Sequence, residues 1–239
     1  MIKDTILQHG KNIGKTMNNI TAVVPTRKGS ERVKSKNTRS FAGKSLLEYK
    51  LETLIKLHKF DYIKDIVVNS DCEESRKISE SYDIPFIERD PYLATSEAPI
   101  TDYWSEVLLN TKTEHSMLCQ CSSPLISYNT YVDAIQKYNG VSMIGSELIK
   151  DFIWKNGESL NYEWPNHPRS QDLSSDYWKL NFGIVIIRKE EILEYNNIKT
   201  PNTQLYSIPE NENLDIDNLL EFKLAEMLIN EQQYNRTKN

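Results

Sequence analysis

The stretch ITAVVPTRKGSERVKSKN, residues 20–37, decides the fold of this chain. Its first six residues form a mostly apolar, β-branched run, which is typical of a strand buried in a parallel sheet. The basic segment that follows Pro25 predicts a loop at the carboxyl end of this strand. In open α/β sheets, ligands bind outside the carboxyl ends of the strands. The sequence therefore predicts a ligand site beside its first strand.

Further along the chain, short apolar runs alternate with segments whose apolar residues recur at helical spacing. This pattern predicts strands at 65–70, 85–88, 116–120, 141–144 and 184–187, and helices at 46–57, 73–82, 102–110, 128–138 and 218–230. Such alternation indicates an α/β fold, with a Rossmann-like, mainly parallel sheet flanked by helices on both faces. Residues 150–180 are aromatic and poor in helix signals, so they interrupt the pattern.

The composition excludes several classes of protein. The 239 residues carry a net charge of -5, and 10% of them are aromatic, which is too many for a disordered chain. No apolar run approaches the ~20 residues of a transmembrane helix, and the N-terminus lacks the features of a secretory signal. The three cysteines are too few for a disulfide framework or a structural zinc site. We expect a cytoplasmic protein that binds neither nucleic acid nor membrane.

Positive charge is concentrated near the N-terminus. Residues 1–50 hold eleven Lys and Arg against three Asp and Glu, a balance of +8, so the rest of the chain carries -13. Seven of these cations and one acid fall between residues 26 and 44, where Gly29 and Ser30 allow a ligand to approach the backbone. This loop suits a nucleoside triphosphate, although it is not a Walker A loop. A solvated basic loop is the alternative.

A second candidate site is the pair of carboxylates Asp215 and Asp217. On an extended segment, side chains two residues apart point the same way, so the pair is suited to hold Mg²⁺ next to a triphosphate. The alternative is that Asp217 caps the final helix.

Several motifs together resemble the CMP-sialic acid synthetase (acylneuraminate cytidylyltransferase) family. The run VVPTRKGSERVKSKN, which continues to FAGKSLLEY, resembles the N-terminal signature of that family. Five further segments are similar to family motifs and occur in the family's order: IVVNSD (66–71), ERDPYLATSEAP (88–99), LCQCSSPLI (118–126), RSQDL (169–173) and LDIDN (214–218).

The resemblance implies a fold of the nucleotidyltransferase type and a cytidylyltransferase reaction. In that reaction the anomeric hydroxyl of an acidic 2-keto-3-deoxy sugar attacks the α-phosphate of CTP, with Mg²⁺ as cofactor. It also implies a homodimer, with an irregular excursion at about 146–182 that reaches the partner subunit. We expect one catalytic domain at 18–239. Residues 1–17 are then either a frayed extension or a segment that precedes a natural start at Met17.

The resemblance also implies roles for individual residues. Those assigned to catalysis are Arg27, Lys36, Asp215 and Asp217, and the last two are also assigned to the metal. Those assigned to the nucleotide are Pro25, Thr26, Arg27, Ser30, Lys36, Asn37, Arg89 and Ala98. Those assigned to the acidic sugar are Gln120, Arg169 and Asn181. Asp71 is either a third metal ligand or a structural acid in a turn, and Lys179 either binds the sugar carboxylate or is a surface charge.

The sequence departs from the family pattern mostly on the acceptor side. Cys121 replaces a proline, Phe182 replaces a glycine, and Ser96 stands where many relatives carry aspartate. The acceptor is therefore open among N-acetylneuraminate, legionaminate, pseudaminate, an octulosonate and other sugar acids. Two further alternatives are a related nucleotidyltransferase with a different nucleotide or acceptor, and a non-catalytic nucleotide-binding relative.

Overall fold

The computed structural model describes residues 19–30, 32–173 and 176–238, and its centre is a seven-stranded sheet. In chain order its strands are β1 (Ile20–Pro25), β2 (Asp65–Ser70), β3 (Phe86–Glu88), β4 (His115–Leu118), β5 (Met143–Leu148), β8 (Trp178–Arg188) and β9 (Gln204–Ser207). Two short strands, β6 (Trp154–Lys155) and β7 (Glu158–Ser159), form a separate antiparallel hairpin. The extension predicted at 1–17 lies outside the described residues.

Six helices of the described residues pack around the sheet. They are α1 (Leu46–Lys59), α2 (Glu73–Ser81), α3 (Ile100–Leu109), α4 (Tyr128–Lys137), α5 (Lys189–Tyr195) and α6 (Leu219–Lys238). Single 3-10 turns occur at Pro91–Ala94 and Ser170–Asp172. A capping box fixes the start of α1, because the Ser45 hydroxyl accepts from the Glu48 N–H while the Glu48 carboxylate accepts from the Ser45 N–H.

The strand order is β3-β2-β1-β4-β8-β5-β9, and β8 alone runs against the other six strands of this sheet. The predicted mainly parallel α/β sheet is thus confirmed, with 184–187 inside a central strand. The parallel strands β1, β2 and β4 end at the same edge, which is where the candidate site was predicted.

Hydrophobic side chains cover both faces of the sheet. One core cluster joins the sheet to α1, α4 and α6, and includes Leu51, Ile135 and Phe222. The other joins it to α3 and α5, and includes Leu108 and Ile192. Because strand side chains alternate between faces, Val24 contributes to the first cluster and Val23 to the second. Helices therefore lie on both faces, as predicted.

The structure adds elements that the sequence pattern did not predict. Helix α5 has only seven residues, and β9 is an edge strand of four residues whose sequence, QLYS, has no polar–apolar alternation. Strand β5 continues past the predicted end at 144 to Leu148, and its pairing with β8 shifts register between Ile144 and Ser146. At this shift, a Cβ on Gly145 would lie 2.7 Å from the Asn181 carbonyl, so the backbones approach closely.

The region predicted as an irregular excursion contains the β6–β7 hairpin and a cluster of aromatic rings. The Tyr162 ring lies 5.4 Å from Phe152, 6.2 Å from Trp154 and 4.6 Å from His167, between ring centroids. Trp164, with 68% of its surface exposed, completes the cluster. The described helices include none that is long and apolar enough to cross a membrane.

Gly183 in β8 is a position where a side chain larger than that of glycine would clash with its neighbours. A Cβ there would lie 2.5 Å from Ile126 Cδ1 and 2.7 Å from Ser123 Cβ. We expect Gly183→Ala to lower the free energy of unfolding by about 1–3 kcal/mol, because both neighbours are buried and closely packed. Urea denaturation would measure it, with Gly29→Ala as the control, since a Cβ at Gly29 meets no atom within 4 Å. Equal stability of the two variants would contradict this packing.

Candidate active site

A cleft of about 420 Å³ opens at the carboxyl ends of the parallel strands. It lies between the basic loop after β1, the segment after β3, the start of α3 and the loop after β4. All but three of the predicted site residues line it: Pro25, Thr26, Arg27, Ser30, Lys36, Asn37, Arg89, Ala98, Gln120 and Asp217. The three that do not are Arg169, Asn181 and Asp215.

The basic loop is held in place by the neighbouring strand β2 and helix α2. The Thr26 N–H donates to the Asn69 carbonyl at 3.0 Å, and the Thr26 hydroxyl donates to Ser75 Oγ at 2.8 Å. The Lys28 N–H donates to the Asp71 carboxylate at 2.9 Å. Asp71 thus has a structural contact with the basic loop, and its role as a third metal ligand stays a prediction.

Arg89 supplies a buried positive charge to the cleft. Its Nε donates to Asn69 Oδ1 at 2.6 Å, its guanidinium also donates to the Asn69 carbonyl, and it lies over the ring of Tyr103 at 5.0 Å. Burial lowers the pKa of Arg89, and it has no carboxylate at ion-pair distance among the described residues. A buried cation that lacks an acidic partner and borders a cleft is suited to an anionic ligand.

Lys36 connects the basic loop with the segment that carries Asp215 and Asp217. Its Nζ donates to the Ile216 carbonyl at 2.5 Å, between the two aspartates. Burial lowers the pKa of Lys36, while the charges of Asp215 and Asp217 act in the opposite direction. Lys36, which lines the cleft, is thus joined to the segment that carries both aspartates, 180 residues further along the chain at Ile216.

Asp217 does not cap the last helix. The cap is Asn218, whose Oδ1 accepts from the N–H groups of Leu220 and Glu221. The Glu221 carboxylate in turn accepts from the Asp217 and Asn218 N–H groups. The Asp217 carboxylate is left to face the cleft, where it forms an ion pair of 2.8 Å with the exposed Arg32. The capping alternative for Asp217 was wrong, because the next residue provides the cap.

Asp215 and Asn181 lie behind the cleft wall. Ser123 Oγ is 3.3 Å from Asp215 Oδ1 and 3.1 Å from Asn181 Oδ1. Asn181 also accepts from the Gly183 N–H and donates to the Asn213 carbonyl. These contacts use the Asn181 side chain to join β8 to the segment that carries Asp215.

Other residues with predicted roles lie away from the cleft. Arg169 is exposed and forms an ion pair with Asp172 at 3.0 Å. Lys179 is exposed and faces Glu147 across the β5–β8 pair at 3.7 Å, which is the surface-charge alternative. Phe182 packs against Trp104 at 6.0 Å in the second core cluster and does not line the cleft.

Some residues that line the cleft were not predicted from the sequence. Arg32 and Val33 belong to the basic loop that was predicted, but Ile100 and Tyr103 come from the first turn of α3. Nothing in their spacing distinguishes them from core residues of an amphipathic helix. Their contribution depends on the packing of α3 beside Arg89.

Cys119 and Cys121, predicted as packed thiols, are both buried. Burial raises the pKa of each thiol to about 12, so roughly one in 10⁴ is a thiolate at pH 8. We expect iodoacetamide at pH 8 to leave both residues unmodified in the native protein and to alkylate both in guanidinium chloride. Mass spectrometry of peptides would check this. Native alkylation at the rate of the unfolded chain would contradict it.

Comparison with known proteins agrees with this architecture. The cytidylyltransferase family model matches residues 21–208. An N-acylneuraminate cytidylyltransferase of Escherichia coli is 26% identical over 229 residues, which cover 92% of this chain and 54% of that protein. A pseudaminic acid cytidylyltransferase of Campylobacter jejuni is 27% identical over 226 residues, which cover 86% of this chain and 94% of that protein. This chain spans about half the length of the first of these relatives.

A solved structure shows the same fold. CMP:2-keto-3-deoxy-manno-octonic acid synthetase, determined in complex with CTP, superposes with a TM-score of 0.65 at 13% identity. The match covers 90% of this chain and 99% of that protein. The family model spans most of the sheet and the loops that form the cleft. This chain belongs to the cytidylyltransferase family.

Proposed function

We propose that this protein transfers CMP from CTP to the anomeric hydroxyl of an acidic 2-keto-3-deoxy sugar of the nonulosonate type and releases pyrophosphate. The observation that carries the proposal is the charge arrangement of the cleft. Arg27, Lys36 and Arg89 bring three cations to its wall, and Asp217 brings a carboxylate to its rim. Cations suit the triphosphate of CTP and the carboxylate of the sugar, while the Asp217 carboxylate suits a divalent metal.

In the proposed reaction, the anomeric oxygen forms a bond to the α-phosphorus of CTP, and the bond from that phosphorus to the bridging oxygen breaks. Pyrophosphate leaves with the electron pair, and the hydroxyl proton is lost to solvent. Negative charge moves toward the leaving group, so preorganised cations accelerate the step. Arg27 and Lys36 lie on the loop that we assign to the triphosphate.

The carboxylate pair is suited to the magnesium ion that the family implies. Mg²⁺ is held in proteins by one or two carboxylates together with water and substrate phosphates. In the ranges 19–30, 32–173 and 176–238, no group of three or more His, Cys, Asp or Glu side chains could hold a metal. Asp217, which faces the cleft, would hold the ion with the triphosphate, and Asp215, two residues earlier and behind the cleft wall, would complete the carboxylate pair. When bound there, the ion would stabilise charge on the α-phosphate and on the pyrophosphate.

We assign the acceptor to the end of the cleft near Gln120, which lies with Cys121 and Ser122 in the loop after β4. The named relatives act on N-acylneuraminate and on pseudaminic acid, both acidic sugars. Arg169, the residue predicted for the sugar carboxylate, is exposed away from the cleft. We therefore assign the sugar carboxylate to Arg89 and Arg27, which lie in the cleft wall.

A pyrophosphate-release assay tests the proposal. The protein would be incubated with Mg²⁺ and CTP, ATP, GTP or UTP, together with each of a panel of nonulosonic and octulosonic acids. We expect release with CTP and a nonulosonic acid, and none with CTP alone. Pyrophosphate release with a different nucleotide would support a related nucleotidyltransferase. No pyrophosphate release with any sugar, although CTP binds, would support a non-catalytic relative. Either result would contradict the proposal.

We also propose a homodimer formed through the aromatic excursion. Trp154 and Trp164 are 49% and 68% exposed, and exposed aromatic groups of this size favour burial against a partner. We expect a dimer by light scattering at micromolar concentration. The double variant Trp154→Ser/Trp164→Ser should be a monomer, whereas Leu193→Ser, on α5 and 71% exposed, should remain dimeric. A monomeric parent protein, or a dimeric double variant, would contradict this interface.

A further inference from the structure

Lys50 is a buried lysine inside the larger core cluster. It lies on α1, only 3% of its surface is exposed, and its neighbours include Leu51, Cys119 and Cys121. Within the part of the chain that the structure describes, no carboxylate forms an ion pair with it; Asp215 and Glu212 act on it only from a distance. Burial of an ammonium group without an acidic partner is costly, so the contacts that Lys50 does make need an explanation.

Those contacts join two elements of the site. Lys50 Nζ donates to the Ser123 carbonyl at 3.0 Å and to the Tyr131 hydroxyl at 2.7 Å. The Tyr131 hydroxyl donates onward to the Gly183 carbonyl at 3.0 Å, and its ring faces the ammonium group at 5.0 Å. Lys50 therefore ties the loop after β4 to strand β8 from within the core.

The same loop holds the segment that carries the two aspartates. The Ser122 carbonyl accepts from the Ile216 N–H at 2.8 Å, and Ser123 Oγ is 3.3 Å from the Asp215 carboxylate. The position of Asp215 and Asp217 thus depends on Ser122 and Ser123, whose backbone Lys50 fixes. The charges of the buried Lys50 and the half-buried Asp215 also attract each other.

We propose that Lys50 is a positioning residue, which holds the Ser122–Ser123 backbone so that Asp215 and Asp217 are arranged to bind a divalent metal together with the nucleotide. Lys50 does not line the cleft, and it acts through Ser123. The proposal rests on the proposed function, because it assumes that the carboxylate pair serves Mg²⁺ and CTP.

The test compares CTP binding with and without metal, so it needs neither the acceptor sugar nor turnover. Calorimetry would measure the dissociation constant of CTP in EDTA and in saturating Mg²⁺, and their ratio is the metal coupling factor. Lys50→Met keeps the length of the side chain and removes its charge and donors; Lys56→Met, on the exposed face of the same helix, is the control. In the parent protein and in Lys56→Met we expect Mg²⁺ to tighten CTP binding at least fivefold.

In Lys50→Met we expect the coupling factor to fall below two, while the dissociation constant in EDTA stays within twofold of the parent value. If Lys50 had a purely structural role, its replacement would instead raise the dissociation constant of CTP equally in EDTA and in Mg²⁺, or change neither. Ser123→Ala, which removes the hydroxyl next to Asp215, should also lower the coupling factor, and it serves if Lys50→Met does not fold.

An unchanged coupling factor in a folded Lys50→Met, or in Ser123→Ala where the first variant fails to fold, would overturn the proposal and leave the proposed function intact. Absence of coupling in the parent protein would instead overturn the metal role of the carboxylate pair, and the positioning role with it.

Discussion

Replacement of Asp217 by asparagine is expected to lower kcat by ~100- to 1,000-fold, the size of effect seen when a group that stabilises transition-state charge is removed. The dissociation constant of CTP should change by at most about tenfold, because the cations of the cleft remain in place. Protein stability should change little, because the ion pair that Asp217 forms with Arg32 is exposed and such pairs contribute at most about 1 kcal/mol. Initial rates, calorimetry and thermal unfolding would measure the three quantities.

Asp61→Asn is a suitable control for Asp217→Asn. Asp61 is exposed, lies in the loop after α1, and has a positive φ of 59°, which asparagine tolerates well. The control removes one carboxylate from the surface without touching the cleft. If Asp217→Asn lowered kcat no more than Asp61→Asn, or if it weakened CTP binding as much as it lowered turnover, the metal role of Asp217 would be refuted.

Lys36→Met is expected to raise the dissociation constant of CTP by about 10- to 100-fold. A hydrogen bond to a charged group contributes about 1.5–3 kcal/mol, and Lys36 is a half-buried cation that lines the cleft. The salt dependence of CTP binding should also become shallower in the variant, since one cation of the cleft is lost. Calorimetry at two ionic strengths would measure both effects.

The matched control is Lys34→Met, which removes an exposed lysine from the same loop. Lys34 does not line the cleft, so its loss should change the affinity for CTP by less than threefold. Equal affinities of the Lys36→Met variant and the parent protein would show that Lys36 only anchors the Ile216 carbonyl, and the phosphate role would then be wrong.

The sequence predicted most of the fold because its strands are short apolar runs bounded by clear turns. The runs at 20–25 and 65–70 coincide with β1 and β2 as the structure has them. Local pattern did not predict α5 or β9, because α5 has few apolar positions and β9 is a four-residue edge strand with a single buried side chain, Tyr206. The end of α6 was missed for a similar reason, since residues 231–235 are exposed and give no periodic signal.

The predicted site residues lie together in the cleft where one segment carries several of them. The basic loop brought Arg27, Ser30 and Lys36 to the cleft together, because the end of β1 fixes its position. Arg169 is exposed outside the cleft, and its position was not predictable because no local pattern indicates how far the excursion extends from the sheet. Lys50 could not be recognised, because its role depends on Ser123 and Tyr131, which are more than 70 residues away.

The product of the reaction provides the most direct test of the proposed cytidylyl transfer. Phosphorus NMR would follow CTP, Mg²⁺ and the acidic sugar that gives the fastest pyrophosphate release. We predict a sugar-linked CMP resonance and pyrophosphate in equal amounts, with no free CMP at early times. Formation of free CMP and pyrophosphate without a sugar-linked product would show that water is the acceptor, and it would contradict the proposed transfer to the anomeric hydroxyl.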